Sequence, residues 1–334
     1  MRKARHRLQT RYSNPVATSA TSDQVLVPAK AAPTLLADYA TLFKLRVSTM
    51  VVITAGAGFY IGSLRSGISP FHAGLIQSLV GIAVVTCGSS ALNQALERKT
   101  DARMRRTSNR PMAAGRINFA HGLILGFAAV FLGSLYLAYT TNMLTGTLTL
   151  LTAIGYVAIY TPLKRVTTVN TFIGAFPGAL PPLIGWTAIR GIIEWPAVAL
   201  FAILFVWQFP HFMAIGWMYR DDYAQAGIRL TPTLANTTYA SRSTVVQSLF
   251  YAALMIPVSL WPVSLGITGY VYAVAASLLG LAYLWYTIRF ARITRDPESV
   301  ASHQYARDLL RISVIYLPLL LAAMMLDAKG RLLF

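Results

Sequence analysis

Asn93-Gln-Ala-Leu-Glu97-Arg-Lys-Thr-Asp101-Ala-Arg-Met-Arg105-Arg106-Thr-Ser-Asn-Arg110-Pro111 decides the reading of this chain, because it follows directly on an apolar run long enough to cross a bilayer. Asn93, Glu97 and Asp101 recur every four residues, so on a helix they share one face, each step rising roughly 6 Å. That face is a row of oxygen ligands. Beyond it the sign of charge reverses through Arg105, Arg106 and Arg110, and Pro111 stops any helix. Carboxylate and amide oxygens hold a hard cation such as Mg²⁺, and guanidiniums hold phosphate, so the segment has the parts a metal-bridged diphosphate requires. A solvated loop with helix-supporting charge pairs would use the same residue types. At the end of a membrane span, however, carboxylates are costly to keep without a partner or a task.

The membrane setting follows from composition. Apolar residues make up 55% of the 334 and charged residues only 12%. Apolar runs of about 20 residues recur along the chain, and they predict nine spans near 47-64, 74-96, 118-138, 142-160, 171-189, 196-218, 244-263, 268-288 and 309-326. The expected class is an all-α polytopic membrane protein. Of the 29 lysines and arginines, all but Arg65, Arg190, Lys329 and Arg331 fall in the N-terminal tail or in alternate connections after it. Cytoplasmic segments carry such an excess, which predicts a cytoplasmic N-terminus and places the Asn93–Arg110 motif on the same side. The net charge of +18 is thereby accounted for by topology and by attraction to anionic membrane lipid, not by nucleic-acid binding. The lone Cys87 excludes an intrachain disulfide and reads as a small packing residue.

The domain organisation expected is a basic, unstructured cytoplasmic tail over 1-43, a membrane domain over 44-327 and a short non-cytoplasmic tail over 328-334. Residues 1 to 32, basic and without an acid before Asp23, suit either a disordered arm or a cleavable organellar transit peptide; the arm is the preferred reading.

A second polar cluster follows the sixth expected span: Trp207-Gln208-Phe209-Pro210-His211-Phe212, then Tyr219-Arg220-Asp221-Asp222-Tyr223, with Gly227 and Thr231-Pro232 beyond. It falls on the same side as the first. Gln208 and His211, three apart, are expected to face an internal cavity, although a packing histidine fits His211 equally. Between the clusters lie Tyr160-Thr161-Pro162-Leu163-Lys164-Arg165 and a span interrupted by Gly174, Pro177, Gly178, Pro181, Pro182 and Gly185. Lys164 and Arg165 are either phosphate ligands or topology anchors. The Gly and Pro density predicts that this span lines something and is not lipid-facing all round.

Taken together, these residues resemble the intramembrane aromatic (UbiA-type) prenyltransferase superfamily, and within it the heme-modifying branch, the protoheme IX farnesyltransferases. The resemblance rests on Lys44-Leu45-Arg46-Val47, Asn93 through Pro111, Tyr160 through Trp186 and Trp207 through Pro232. It implies nine transmembrane helices bundled around a central cavity open near the cytoplasmic side. The implied reaction is transfer of a farnesyl group from farnesyl diphosphate to a vinyl group of heme B, with water addition, giving heme O. Mg²⁺ is the implied cofactor, and Asn93, Glu97, Asp101, Asp221 and Asp222 are the implied metal ligands. Lys164 joins Asn93, Glu97, Asp101 and Asp222 as a catalytic residue. Lys44, Arg46, Arg106, Arg110, Lys164 and Arg165 would bind diphosphate, and Trp207, Gln208, His211 and Tyr223 would contact heme or line the cavity. A heme A synthase or a terminal-oxidase assembly protein is the implied partner, and the inner membrane of a bacterium, ahead of that of a mitochondrion, the implied location.

The chain departs from the family pattern at three points. Glu97 stands where Asp is common, Leu45 where Pro is common, and Gln225 or Ala226 where many members have a further acid. The last departure bears on how a second metal ion would be held. Two other readings are open at this stage: the same scaffold acting on a quinone precursor or other aromatic acceptor, and a secondary transporter of an anionic solute, since broken spans and buried polar groups suit transport as well.

Overall fold

The computed structural model describes residues 33–329, which are helices and their connections. Among them nine segments are long and apolar enough to cross a membrane, as expected from hydropathy. Four of the first six are single helices, α2 (Leu45–Ser66), α3 (Ala73–Asp101), α4 (Phe119–Thr140) and α9 (Trp195–Met218), with α1 (Leu35–Leu42) a short helix before them. The fourth span is composite, running through α5 (Met143–Ile154), a π-helical stretch Gly155–Tyr160 and one turn of α6 (Thr161–Leu163). The fifth is broken between α7 (Asn170–Ala179) and α8 (Pro181–Arg190), where Pro181 and Pro182 start a new helix. After α9 come the six-residue α10 (Arg220–Gln225) and the spans α11 (Thr237–Ser264), α12 (Tyr270–Phe290) and α13 (Val300–Leu326).

Two readings of the tails meet the structure differently. The tail expected to be unstructured through residue 43 contributes α1, held by Arg116 on Asp38 at 2.8 Å and by Gln94 Nε2, which donates to the Thr41 and Leu42 carbonyls that the helix end leaves open. Residues 1–32 and 330–334 lie outside the described residues.

The helices pack through small residues where their backbones meet. An added Cβ at Gly58 would stand 1.9 Å from the Pro182 carbonyl oxygen, and one at Gly185 would stand 1.8 Å from that of Ala55, so α2 and α8 touch only because both positions are glycine. Outward faces carry Phe131, Leu132, Leu281 and Trp285, exposed as a lipid-facing surface would be. The largest buried core gathers α9 with α11, α12 and α13 around Trp217, Tyr272, Tyr283 and Tyr316. Buried tyrosine hydroxyls there donate to main-chain carbonyls: Tyr272 to Ser259, one turn before Pro262, and Tyr283 to Trp207.

Candidate active site

The first motif extends α3 past the apolar region, and its acidic row is buried instead of solvated. Asn93 is fully buried and Asp101 is 1% exposed. Each oxygen ligand has a cationic or hydroxyl partner. Lys44 donates to Asn93 Oδ1, whose Nδ2 donates to Thr161 Oγ1 at 3.0 Å. Lys164 Nζ meets Glu97 Oε1 at 2.7 Å. Arg110 Nη1 spans both Asp101 oxygens at 2.9 and 2.8 Å. The Arg110 loop is turned back by Thr107, which donates to the Asp101 carbonyl at 2.9 Å.

Lys44 reaches Asn93 because its backbone adopts φ +46°, between α1 and α2. This left-handed conformation costs a β-carbon-bearing residue energy and occurs where a site demands it. The side chain also lies 3.3 Å from the Tyr156 hydroxyl. Burial, with Arg110 nearby, pulls its ammonium down to about 7. Lys164 goes the other way: burial would lower it, but Tyr160 and Glu97 beside it raise its affinity for the proton.

A pocket of about 110 Å³ lies here, in which the cations Lys44, Arg106, Arg110 and Lys164 face the carboxylates of Glu97 and Asp101; the fully buried Asn93 lies behind Lys44 and does not line it. Tyr223 closes it, accepting from Arg106 Nη2 at 3.0 Å. The positive excess suits an oxyanion. Lys44, Arg110, Tyr160 and Lys164 also line a second, mostly apolar pocket of about 370 Å³ that runs between the helices past Val51, Ile82, Gly178 and Gln208. Gly174, Pro177, Gly178 and Pro181 of the broken fifth span form part of its wall, as their density in the sequence led one to expect. The π-helical stretch supplies Tyr156 and Tyr160, and such stretches commonly mark functional sites.

The second acidic cluster sits on α10 and lines an adjoining recess with Arg105, separate from the charged pocket. Asp221 is 79% exposed at its side chain. Among the described residues no three His, Cys, Asp or Glu side chains converge as a ready metal cage. The oxygens of Asn93, Glu97 and Asp101 nevertheless have the hard-donor character a divalent cation takes. Mg²⁺ in particular is commonly held by one or two carboxylates together with substrate phosphates. The two motif loops are joined by an apolar cluster of Met104, Ala226 and Ile228, with Tyr223 and Leu230 against it.

Four expected contacts are not brought to these pockets. Arg46 and Arg165 are exposed and line neither. Trp207 and His211 face α13: Trp207 Nε1 donates to the Ser313 carbonyl at 2.8 Å and stacks on the His211 ring at 4.8 Å. His211 Nδ1 lies 2.8 Å from Ser313 Oγ, and because that hydroxyl gives its proton to the Leu310 carbonyl, the imidazole is the donor. The helix continues through Pro210, so residues four apart share a face: Gln208 with Phe212 at the cavity, Trp207 with His211 away from it. Arg220 was not foreseen. Buried at 8% exposure, it donates to the Pro297 carbonyl at 2.8 Å, meets Glu298 at 2.6 Å and lies 4.6 Å over the Trp217 ring, fastening the base of α10. Tyr156 was missed too; its spacing of four from Tyr160 is the only trace of it in the sequence.

A helical membrane bundle with a charged pocket opening into an apolar one is the architecture of an intramembrane prenyl-diphosphate enzyme. The chain belongs to the UbiA prenyltransferase family, which matches residues 51–307. It is 46% identical to the protoheme IX farnesyltransferase of Koribacter versatilis over 309 residues, 92% of this chain and 99% of that one. It is 38% identical to that of Solibacter usitatus, covering 88% and 99%. Among solved structures, a digeranylgeranylglyceryl phosphate synthase superposes with a TM-score of 0.70 at 15% identity, over 87% of this chain and 98% of that one. A UbiA homolog from Archaeoglobus fulgidus bound to GPP and Mg²⁺ does so with 0.52 at 17%, over 86% and 99%. At such identity these two speak for the fold alone.

Proposed function

We propose that the protein transfers the farnesyl group of farnesyl diphosphate to a vinyl group of heme B, with water addition, giving heme O and diphosphate. The observation that carries the transferase half is the shared wall of Lys44, Arg110, Tyr160 and Lys164, where a charged pocket for diphosphate meets an apolar one for an isoprenoid. The acceptor is taken from the full-length likeness to proteins named for protoheme IX.

Diphosphate entering the charged pocket offers Lys164 and Arg110 new oxygens in place of Glu97 and Asp101. Lys164, Arg106 and Arg110 then stabilise the charge that grows on the leaving group as the allylic carbon–oxygen bond breaks. Asn93, Glu97 and Asp101, with Asp222 or Asp221 from the opposite loop, would hold the divalent metal, Mg²⁺ in this reading. When bound it supplies further neutralisation of the diphosphate. Tyr156 and Tyr160 line the apolar pocket beside Lys44 and Lys164, and its apolar wall keeps bulk water from a developing allylic cation. No nucleophilic side chain is needed.

The same reading places the charged pocket on the cytoplasmic face of a bacterial inner membrane and makes a heme A synthase a partner that would consume the product. Purified protein in detergent, given heme B, farnesyl diphosphate and Mg²⁺, is expected to form a hydroxyethylfarnesyl heme, read by mass spectrometry, that disappears with chelator. Unchanged heme beside a prenylated quinone precursor would overturn the acceptor, and no reaction with any acceptor would return transport to first place.

A further inference from the structure

The apolar cavity is lined by a carboxamide whose oxygen no described residue satisfies. Gln208, 3% exposed, donates its Nε2 protons to the Ala175 carbonyl at 2.9 Å and the Leu204 carbonyl at 3.1 Å. Both partners are acceptors, so the carboxamide cannot be turned over, and Oε1 must face the opposite way. It faces Gly178 on the cavity wall, where an added Cβ would stand 2.5 Å from it. Among the described residues no donor reaches this oxygen. Of the hydroxyls that line the same cavity, those of Thr86, Ser89, Thr149 and Thr152 each give their proton to the carbonyl four residues back on their own helix.

An acceptor that faces a mostly apolar cavity without a donor is costly to keep unless a ligand satisfies it. The ligand must bring an O–H or N–H, which excludes phosphate, a carboxylate and the isoprenoid chain. We infer that Gln208 Oε1 holds and aims the water molecule that is added during the reaction, an inference that rests on the heme reading above. The allylic C1–O bond breaks with its electron pair leaving on diphosphate. The vinyl π pair forms the new bond to C1, and positive charge lands on the vinyl carbon attached to the macrocycle. The water oxygen bonds to that carbon, and its surplus proton passes to the diphosphate just released. Gln208 is not basic enough to take that proton. It accepts one O–H of the water, which turns a lone pair towards the cation, and it sets the negative end of a fixed dipole beside it. Gly178 is the space this arrangement requires.

Water positioning shows in what is made, not only in how fast. Without an aimed water the cation loses a neighbouring proton, giving an alkene lighter by one water. The test compares wild type with Gln208→Leu, which keeps bulk and removes the dipole, and Gly178→Ala, whose methyl displaces Oε1 while leaving Gln208 in place. Heme products are separated by mass, and release of diphosphate is followed in parallel. Both variants are expected to keep releasing diphosphate with heme present, while the ratio of hydroxylated to dehydrated product falls by about tenfold or more. If Gln208→Leu does not fold, the ratio in Gly178→Ala decides alone. A folded variant with the wild-type ratio overturns the role whatever its rate, and so does loss of all transfer in both folded variants. Wild type that prenylates no heme overturns the acceptor assignment, and this role with it, without any variant being needed.

Discussion

The two acidic clusters of this protein are built in opposite ways. Asn93, Glu97 and Asp101 ride on the last three turns of a 29-residue helix, buried, each already matched by Lys44, Lys164 or Arg110. Asp221 and Asp222 ride on a six-residue helix at the rim, where Asp221 is largely exposed and, among the described residues, only the Arg220 cation approaches it, at 3.8 Å. The first cluster is pre-formed, its acids already paired and positive charge in excess, so in the proposed reading a diphosphate entering it would exchange partners instead of creating them. The second is free to approach whatever the first has bound. Binding on a rigid half and closing with a loosely held half is an economical way to keep water out of a carbocation's path.

The contrast predicts unequal losses. Asp101→Ala removes a proposed metal ligand and leaves Arg110 without its two-oxygen partner, so prenyl transfer is expected to fall by roughly 10³-fold while membrane insertion is kept. Activity within a few fold of wild type would end the idea that the buried row holds the metal. Asp222→Ala should cost less, about 10²-fold, and show mainly as a raised Mg²⁺ requirement. An unchanged magnesium titration in that variant would mean that the rim cluster does not join the site. Arg220→Ala touches neither the metal nor the substrate, but unfastens α10 from Pro297, Glu298 and Trp217. A drop of about tenfold, with the magnesium curve shifted in the direction of Asp222→Ala, is expected. Arg220→Lys should not restore it, since one ammonium cannot reproduce the fork. Loss of activity with an unshifted curve would assign Arg220 to folding alone.

How much of this could be read beforehand depends on which interaction fixed each residue. The spans are set by hydropathy, a property summed over some 20 residues, and all nine were legible, as was the lining role of Gly174 through Pro181. The buried row was legible because period four on a helix is local. Which cation serves which carboxylate was not, because Lys44 and Lys164 arrive from other helices, Lys44 by a backbone conformation that no residue type at that position announces. Arg46 and Arg165 show the limit of adjacency: neighbours on a helix point about 100° apart, so a charged pair in the sequence delivers one member to a pocket. The pairing of Gln208 with His211 failed for a related reason. The helix runs on through Pro210, and the i,i+4 faces put Gln208 with Phe212 instead.

The smallest expected effect tests whether the pre-formed half is held from outside the bilayer. Asp38 on α1 takes the Arg116 guanidinium in a two-oxygen contact, Nε to Oδ2 and Nη2 to Oδ1, both at 2.8 Å, and Arg116 also donates to the Asn109 side chain and carbonyl. α1 thereby clamps the Asn109–Arg110 turn, and through it the partner of Asp101. The hydrogen bonds from Arg116 hold the Asp38 carboxyl below its usual value of 3.8. A carboxyl whose folded value is lowered contributes stability that is fully present above its unfolded value and is lost as pH falls through the folded one. Asp38→Asn is therefore expected to lower stability by about 1–2 kcal/mol at pH 6, seen as a lower unfolding temperature in detergent, and the gap to wild type should narrow as pH falls below 3.8. Transfer activity at pH 7 should fall only slightly, because Arg110 keeps its own bidentate contact with Asp101. A gap that does not narrow as the pH is lowered further and further below 3.8 would show that α1 is held by Tyr39, Leu42 and the Gln94 hydrogen bonds, with the ion pair idle, and the buried cluster would then owe its order to α3 and its own cations alone.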